Sequence, residues 1–226
     1  MTDKPSQASS ARPVSVTDRQ EPYAVKAVLF DLGHVLIDFD HLRAAQNLSC
    51  FTNKSAQEIF DLFFDSGLTA LFEEGKISPP EFFAEVKRML NLDISYHQFV
   101  PIWNEIFFFS EKNLGVYQLA CQIKNTYKFA VISNINILHL DYIKRTFPLL
   151  NAFAIIASNE LGLRKPHPDI YQKALQKLGE PAESVFYTDD RAELVASASK
   201  LRMRSFIFKD VEGLKKDLRA AGVDNF

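Results

Sequence analysis

The sequence predicts an α/β fold, a doubly wound (Rossmann-like) parallel sheet with an α-helical cap inserted into it. Two observations carry this. Short apolar runs alternate with amphipathic helical stretches along most of the 226 residues, the pattern of a parallel sheet covered on both faces. The stretch from about His41 to Phe109 then breaks the alternation: it has helical periodicity, no convincing strand, and too great a length for a simple crossover.

Taken in order, the first strand is the run Val25 to Asp31, an apolar segment that ends in a carboxylate and is followed by Gly33. A short continuous apolar run reads as a strand buried on both faces. Leu32 to Asp40 then forms a tight turn and a short flap. The insert carries three capping boxes, Ser55-Ala56-Gln57-Glu58, Ser78-Pro79-Pro80-Glu81 and Ser95-Tyr96-His97-Gln98, each followed by apolar residues at helical spacing. Pro79 suits a first helical position, and Gly75 suits a left-handed helix end. The Phe-rich faces of these helices read as core. Trp103 and Phe107-Phe108-Phe109 are expected to pack the hinge between insert and sheet. A helix from Glu111 to Asn125 returns to the sheet. Strands follow at Lys128–Ile132, Ala152–Ala157, Ser184–Thr188 and Arg204–Phe208. They alternate with helices at Ile137–Thr146, Pro168–Leu178, Ala192–Leu201 and Val211–Ala221. The expected organisation is a disordered tail over 1–20, rich in Ser, Thr, Pro and charge; an α/β core over 21–40 and 110–226; and a helical cap over 41–109.

Composition narrows the function classes. The net charge is -2 and no long basic block occurs, so no nucleic-acid partner is expected. No run is long enough to span a membrane, and the N-terminal stretch lacks an apolar signal-peptide core. Cys50 and Cys121 are far apart and form no Cys-x-x-Cys pair, which reads as two buried thiols in a reducing, cytoplasmic setting. Phe is abundant, 20 in the chain, so the cores should be aromatic.

The chemistry-bearing residues fall at strand ends. Asp31 closes the first run. Phe129-Ala130-Val131-Ile132 leads into Ser133-Asn134. Phe153 to Ala157 leads through a short loop to Arg164-Lys165-Pro166. Ser184 to Thr188 leads into Asp189-Asp190. In an open parallel sheet, the carboxyl ends of the strands form the ligand crevice. Each feature has a plain structural reading too: Asp and Ser-Asn are turn residues, paired Asp residues suit a helix N-cap, and a loop Lys is usually solvated surface.

Together and in this order, the four stretches resemble the four motifs of the haloacid dehalogenase-like hydrolase superfamily, over roughly residues 25 to 210. Asp31-Leu32-Gly33 resembles the Asp-x-Gly branch, which includes sugar-1-phosphate phosphatases. The resemblance implies strand order 5-4-1-2-3 and a cap over the strand ends. It implies Asp31 as a nucleophile that forms an aspartyl-phosphate, and Lys165 and Ser133 as catalytic partners, with Ser133, Asn134 and Lys165 on the substrate phosphate. It implies Mg2+ as the cofactor, held by Asp31, Asp190 and the Gly33 carbonyl, with Asp189 acting through a water. The substrate would be a small phosphomonoester, sugar-like in kind. Arg164 and Arg191 flank the lysine and the acid pair; surface salt bridges are expected of both, with shaping the entrance or binding substrate as the alternative, and His167 is expected to be structural.

One position departs from the commoner pattern. Most phosphatases of the superfamily have an Asp where this chain has Gly33, and that Asp protonates the leaving group. His34, Asp38 or a water could take its place; replacing Gly33 by Asp would either restore proton transfer or fail through backbone strain. Dehalogenases also lack that acid, but they do not use Mg2+ and generally lack the acidic pair that Asp189 and Asp190 supply. Two other readings follow: a haloacid dehalogenase, and a non-catalytic binding or regulatory protein on the same fold.

Overall fold

The computed structural model describes residues 23–63, 66–224 and 226; the expected disordered tail lies outside them. The chain begins with strand β1 (Ala27–Asp31) and a short strand β2 (Asp38–Phe39). Helices α1 (His41–Ser49), α2 (Ala56–Phe63), α3 (Gly67–Glu73), α4 (Pro79–Leu90) and α5 (Tyr96–Asn104) follow. Then come β3 (Phe107–Phe108), α6 (Glu111–Ile123), β4 (Lys128–Ser133), α7 (Ile137–Thr146), β5 (Ala154–Ala157) and the single-turn α8 (Ser158–Leu161). The chain closes with α9 (Pro168–Leu178), β6 (Val185–Asp189), α10 (Ala192–Lys200), β7 (Arg204–Ile207) and α11 (Val211–Ala220).

Five parallel strands form one sheet in the order β7-β6-β1-β4-β5. Counted along the sheet's own strands this is 5-4-1-2-3, the order that the resemblance implied. β1 is central and every one of its residues is buried. Its alternation divides the core. Val28 and Phe30 pack with Val116, Leu119 and Leu218 on one face, and Ala27 and Leu29 pack with Ile170, Tyr171 and Ala174 on the other. The carboxyl ends of β1, β4 and β6 are thereby held in register at one rim: Asp31 lies opposite Ile132, and Phe30 opposite Thr188.

Helices α1 to α5 build a separate apolar cluster around Phe72, Phe82, Phe99 and Trp103. Phe72 stacks on Phe82 at 4.2 Å between ring centroids. The Phe-rich faces are therefore core, as their periodicity predicts. The expected capping boxes form at Ser78 and Ser95, and Ser55 exchanges the same hydrogen bonds with Glu58. Gly75 has φ +64, the left-handed conformation expected of it.

Several elements differ from the sequence reading. Phe107–Phe108 packs at the joint between insert and sheet, as expected, but it does so as a short strand. It pairs antiparallel with Asp38–Phe39, which ties the two connections between insert and sheet to each other. A two-residue strand shows no periodicity, and its partner lies far away in sequence. Residues Pro148–Ala152 form a 3-10 turn, so the third sheet strand begins only at Ala154. The expected loop after β5 opens with the helical turn α8. Cys50 is exposed rather than buried, because it caps the outer end of α1; Cys121 is half-buried.

A second seam joins insert and sheet. The His139 ring on α7 stacks on Trp103 of α5 at 5.2 Å and meets the edge of Phe107. The Asn136 carboxamide caps α7 by accepting from His139 N–H at 3.0 Å, which turns its NH2 toward His139 Nδ1. Nε2 therefore carries the proton and donates to the Trp103 carbonyl at 3.0 Å. Burial, reinforced by His41, pushes the His139 pKa down from 6.5 to about 3. The folded state holds this ring neutral while the unfolded chain protonates it, so its contribution to stability is complete above 6.5 and is lost as pH falls toward 3. His139→Gln should lower stability at neutral pH. It should also flatten the acid-side loss, by up to about 1.4 kcal/mol per pH unit as pH falls from 6.5 toward 3; urea midpoints against pH would measure both effects.

Candidate active site

The sheet rim brings Asp31 from β1, Ser133 from the end of β4 and Asp189 from the end of β6 together, each at the last residue of its strand. The loop between α8 and α9 adds Lys165. Its ammonium is buried and bridges two carboxylates, Asp31 at 2.6 Å and Asp189 at 2.7 Å. This lysine is no solvated loop residue. Burial alone would lower its pKa, but Asp31 and Asp189 outweigh that and raise it, so it is fixed as a cation.

The carboxylates are not equivalent. Asp189 is fully buried and well provided with donors. Oδ2 accepts from Lys165 and, at 2.5 Å, from the Tyr187 hydroxyl, while Oδ1 accepts from the Arg191 N–H at 3.0 Å. Burial pushes its pKa up, but Lys165 and these hydrogen bonds outweigh it and hold it below the usual carboxylate range. Among the described residues Asp31 has only the Lys165 bond, and burial and the Asp189 charge push it up to about 7. Asp190 is half-buried and is also raised, first by burial and then by Asp189. Asp31, Asp189 and Asp190 each place one oxygen within 4.8 Å of the others, a donor set suited to a hard cation.

The loop after β4 positions the lysine. The Asn134 side chain accepts from Lys165 N–H at 2.7 Å and donates to the Lys165 carbonyl at 2.8 Å. Sequence reasoning placed the Asn134 backbone on a ligand; its carboxamide has this separate duty, which only the fold reveals. Ser133 is buried beside it, and its hydroxyl donates over a long 3.5 Å to the Asn134 carbonyl. His167 caps α9, accepting from Asp169 N–H at 3.3 Å, a structural place as expected.

Gly33 has no left-handed backbone, so backbone strain is not what bars a side chain there. A Cβ at Gly33 would lie 2.7 Å from Phe39 Cε1; the obstacle is the Phe39 ring. His34 is the strained residue, with φ +55, and its ring folds back onto Phe39 at 4.1 Å. Asp38 is engaged elsewhere. It accepts from Lys112 at 2.7 Å and from the Ser110 hydroxyl at 2.7 Å. Burial raises its pKa, but those bonds outweigh it and keep the group ionised. Asp38 is therefore a poor proton donor, whereas His34 borders the cavity.

That cavity, of about 390 Å³, lies between the strand rim and the helical insert. Its lining includes Asp31, Ser133, Lys165 and Asp190 from the strand rim together with the rings of Phe39, His41, Trp103 and Phe107. The insert adds Thr69 and Glu73 from α3. Sequence reasoning missed these two, as it missed Tyr187 and His139, because nothing in the local sequence separates them from surface or core residues. Arg164 was expected in a surface salt bridge. It pairs instead with Glu73, at 3.1 Å, on the cavity wall. Arg191 does make an exposed pair, with Glu193 at 2.6 Å.

Residues 25–201 match the family model for haloacid dehalogenase-like hydrolases. The D-ribitol-5-phosphate phosphatase of Bacteroides thetaiotaomicron is 22% identical over 189 residues, covering 80% of this chain and 91% of that protein. A solved haloacid dehalogenase-family enzyme from Bacteroides thetaiotaomicron, in complex with magnesium and inorganic phosphate, superposes with TM-score 0.71 at 26% identity. The match covers 82% of this chain and 95% of that one. A HAD-like family hydrolase of Porphyromonas gingivalis superposes with TM-score 0.74 at 23% identity, covering 87% of this chain and 99% of that one.

Removing the buried cation should be costly. Lys165→Met leaves two buried carboxylates without their shared partner, and breaking such an arrangement costs about 3–5 kcal/mol. Adding Asp189→Asn to that variant should recover part of the loss. Urea denaturation of both variants in the presence of chelator is the measurement.

Proposed function

Since the chain belongs to the haloacid dehalogenase-like hydrolases, we propose that it is a Mg2+-dependent phosphomonoesterase acting on a small polyol or sugar phosphate. The observation that carries this is the charge imbalance at the rim. Three carboxylates, Asp31, Asp189 and Asp190, lie together, and one buried ammonium, Lys165, bridges two of them, Asp31 and Asp189. A phosphate dianion cannot approach such a cluster unless a further cation joins it. Asp31, Asp190 and the Gly33 carbonyl would hold Mg2+, and Asp189, whose oxygens are already taken by protein donors, would act through a water. When bound, Mg2+ would neutralise the phosphate and lower the repulsion against the nucleophile.

The chain's own residues then account for the chemistry. Asp31 attacks phosphorus, and its O–P bond forms as the bond to the leaving alcohol breaks. Lys165 stays protonated throughout and offsets the charge on Asp31 and the transferring group. The Ser133 hydroxyl and the Asn134 backbone N–H donate to phosphoryl oxygens, and the Asn134 side chain keeps Lys165 in place. Water then attacks phosphorus, which restores the Asp31 carboxylate and releases phosphate. The leaving oxygen takes its proton from His34 or from water, since Gly33 offers none and Asp38 is held ionised.

The acidic pair disfavours the dehalogenase reading, because halide displacement needs no second cation. The intact set of Asp31, Lys165, Asp189 and Asp190 disfavours a non-catalytic binding or regulatory protein, which would need none of them. Phosphate release from D-ribitol 5-phosphate, other sugar phosphates and 4-nitrophenyl phosphate, with Mg2+ and with chelator, tests the reading. Activity should require the metal, and Asp31→Asn should lower it by at least about a thousandfold with the fold intact; Asp31→Asn turnover near wild type would refute the covalent route.

The proton question has its own measurement. General acid catalysis is worth about 10²–10⁴-fold, so the rate should rise steeply as the leaving-group pKa falls. A flat dependence, lost in His34→Asn, would place the proton on His34.

A further inference from the structure

The α3 end of the insert is fixed against the sheet beside the phosphate site. Gly75, just beyond α3, has φ +64, and a Cβ there would lie 2.4 Å from the Asn159 carbonyl oxygen of α8. Backbone meets backbone at this point, and only glycine allows it. The buried Ser158 hydroxyl donates to the Glu73 carbonyl at 2.6 Å and accepts from Ile135 N–H at 2.8 Å. Ile135 follows Ser133-Asn134 directly, so one hydroxyl joins α3 to the loop at the end of β4.

This anchoring delivers two polar side chains to the cavity. Thr69 and Glu73 lie one helical turn apart on α3, which puts them on one face, and both line the cavity. The Glu73 carboxylate pairs with Arg164, the neighbour of Lys165, at 3.1 Å, and both side chains stay partly open to the cavity. Such a pair contributes little to stability, because its desolvation opposes its attraction. It is nevertheless suited to ligand contact. A carboxylate only accepts and a guanidinium only donates, whereas a hydroxyl does both. Arg164 also offsets the Glu73 charge, so the carboxylate can face a substrate that carries a phosphate.

We propose that the Glu73–Arg164 pair, with Thr69, determines specificity by reading hydroxyl groups of the substrate, so that the site selects polyhydroxylated phosphomonoesters over equally small ones that lack hydroxyls. This rests on the phosphatase reading above and adds the element that chooses the substrate. The phosphoryl end is served by Asp31, Ser133 and Lys165, and the hydroxyl-bearing end by α3 and Arg164.

The wild-type enzyme gives the first test, with D-ribitol 5-phosphate against pentane-1,5-diol monophosphate, a chain of the same length without the internal hydroxyls. The polyol should be preferred at least about tenfold in kcat/KM, and equal values would overturn the inference. The second test is Glu73→Gln, which keeps the shape and removes the charge. The ratio of kcat/KM for D-ribitol 5-phosphate to that for 4-nitrophenyl phosphate should fall about tenfold, mainly through KM of the polyol. Equal falls for both substrates would mean that Glu73 only holds α3 against the sheet, and unchanged values for both would mean that it reads nothing; either overturns the inference while the phosphatase reading stands. No phosphate release from any of these substrates by the wild-type enzyme with Mg2+ would overturn the phosphatase reading, and the inference with it.

Discussion

The Lys165 ammonium between Asp31 and Asp189 is the contact on which the rest of the rim depends. Two carboxylates at the ends of β1 and β6 could not lie so close in a dry environment without a cation between them. The chain surrounds that cation with restraints. Asn134 holds the lysine's backbone on both sides, and Tyr187 and the Arg191 N–H complete Asp189. The donors are shared unequally, and the inequality separates roles. Asp189 is saturated and stays ionised, whereas Asp31 and Asp190 keep capacity for something that arrives from the cavity.

Precision at the rim comes from the sheet, and variability from the insert. Strand register fixes Asp31, Ser133 and Asp189 to within the tolerance of a hydrogen-bonded ladder. The insert has its own aromatic core, so its inner surface can change without disturbing the sheet. Its contacts with the rest of the chain include the β2–β3 ladder between its two connections, the stack of His139 on Trp103, and the close approach of Gly75 to α8. The last lies nearest the lysine loop, and it carries the ion pair that faces the cavity.

Gly33 illustrates how an omission can be structural. The Phe39 ring occupies the space that a side chain at Gly33 would need, and His34 stacks on the same ring. Phe39 also belongs to β2, so the residue that fills the gap is part of the joint between insert and sheet. An acid could return to position 33 only if that ring moved, and moving it would disturb the joint.

The sequence by itself determined the sheet, its helices and the four strand-end motifs. Apolar runs that end in Asp31, Ser133 and Asp189 are local signals, and parallel strands must bring their carboxyl ends to one side. Capping boxes and Gly75 likewise announce themselves within four residues. Tertiary structure alone decided whatever depends on partners distant in the chain. It buried Lys165, assigned the Asn134 carboxamide to the lysine's backbone, engaged Asp38 with Lys112 and Ser110, and paired Phe107–Phe108 with Asp38–Phe39. It also turned Arg164 from an expected surface residue into the partner of Glu73 on the cavity wall. None of these has a periodicity or a spacing to read, because the donors and acceptors involved lie far apart in the sequence and meet only in the folded chain.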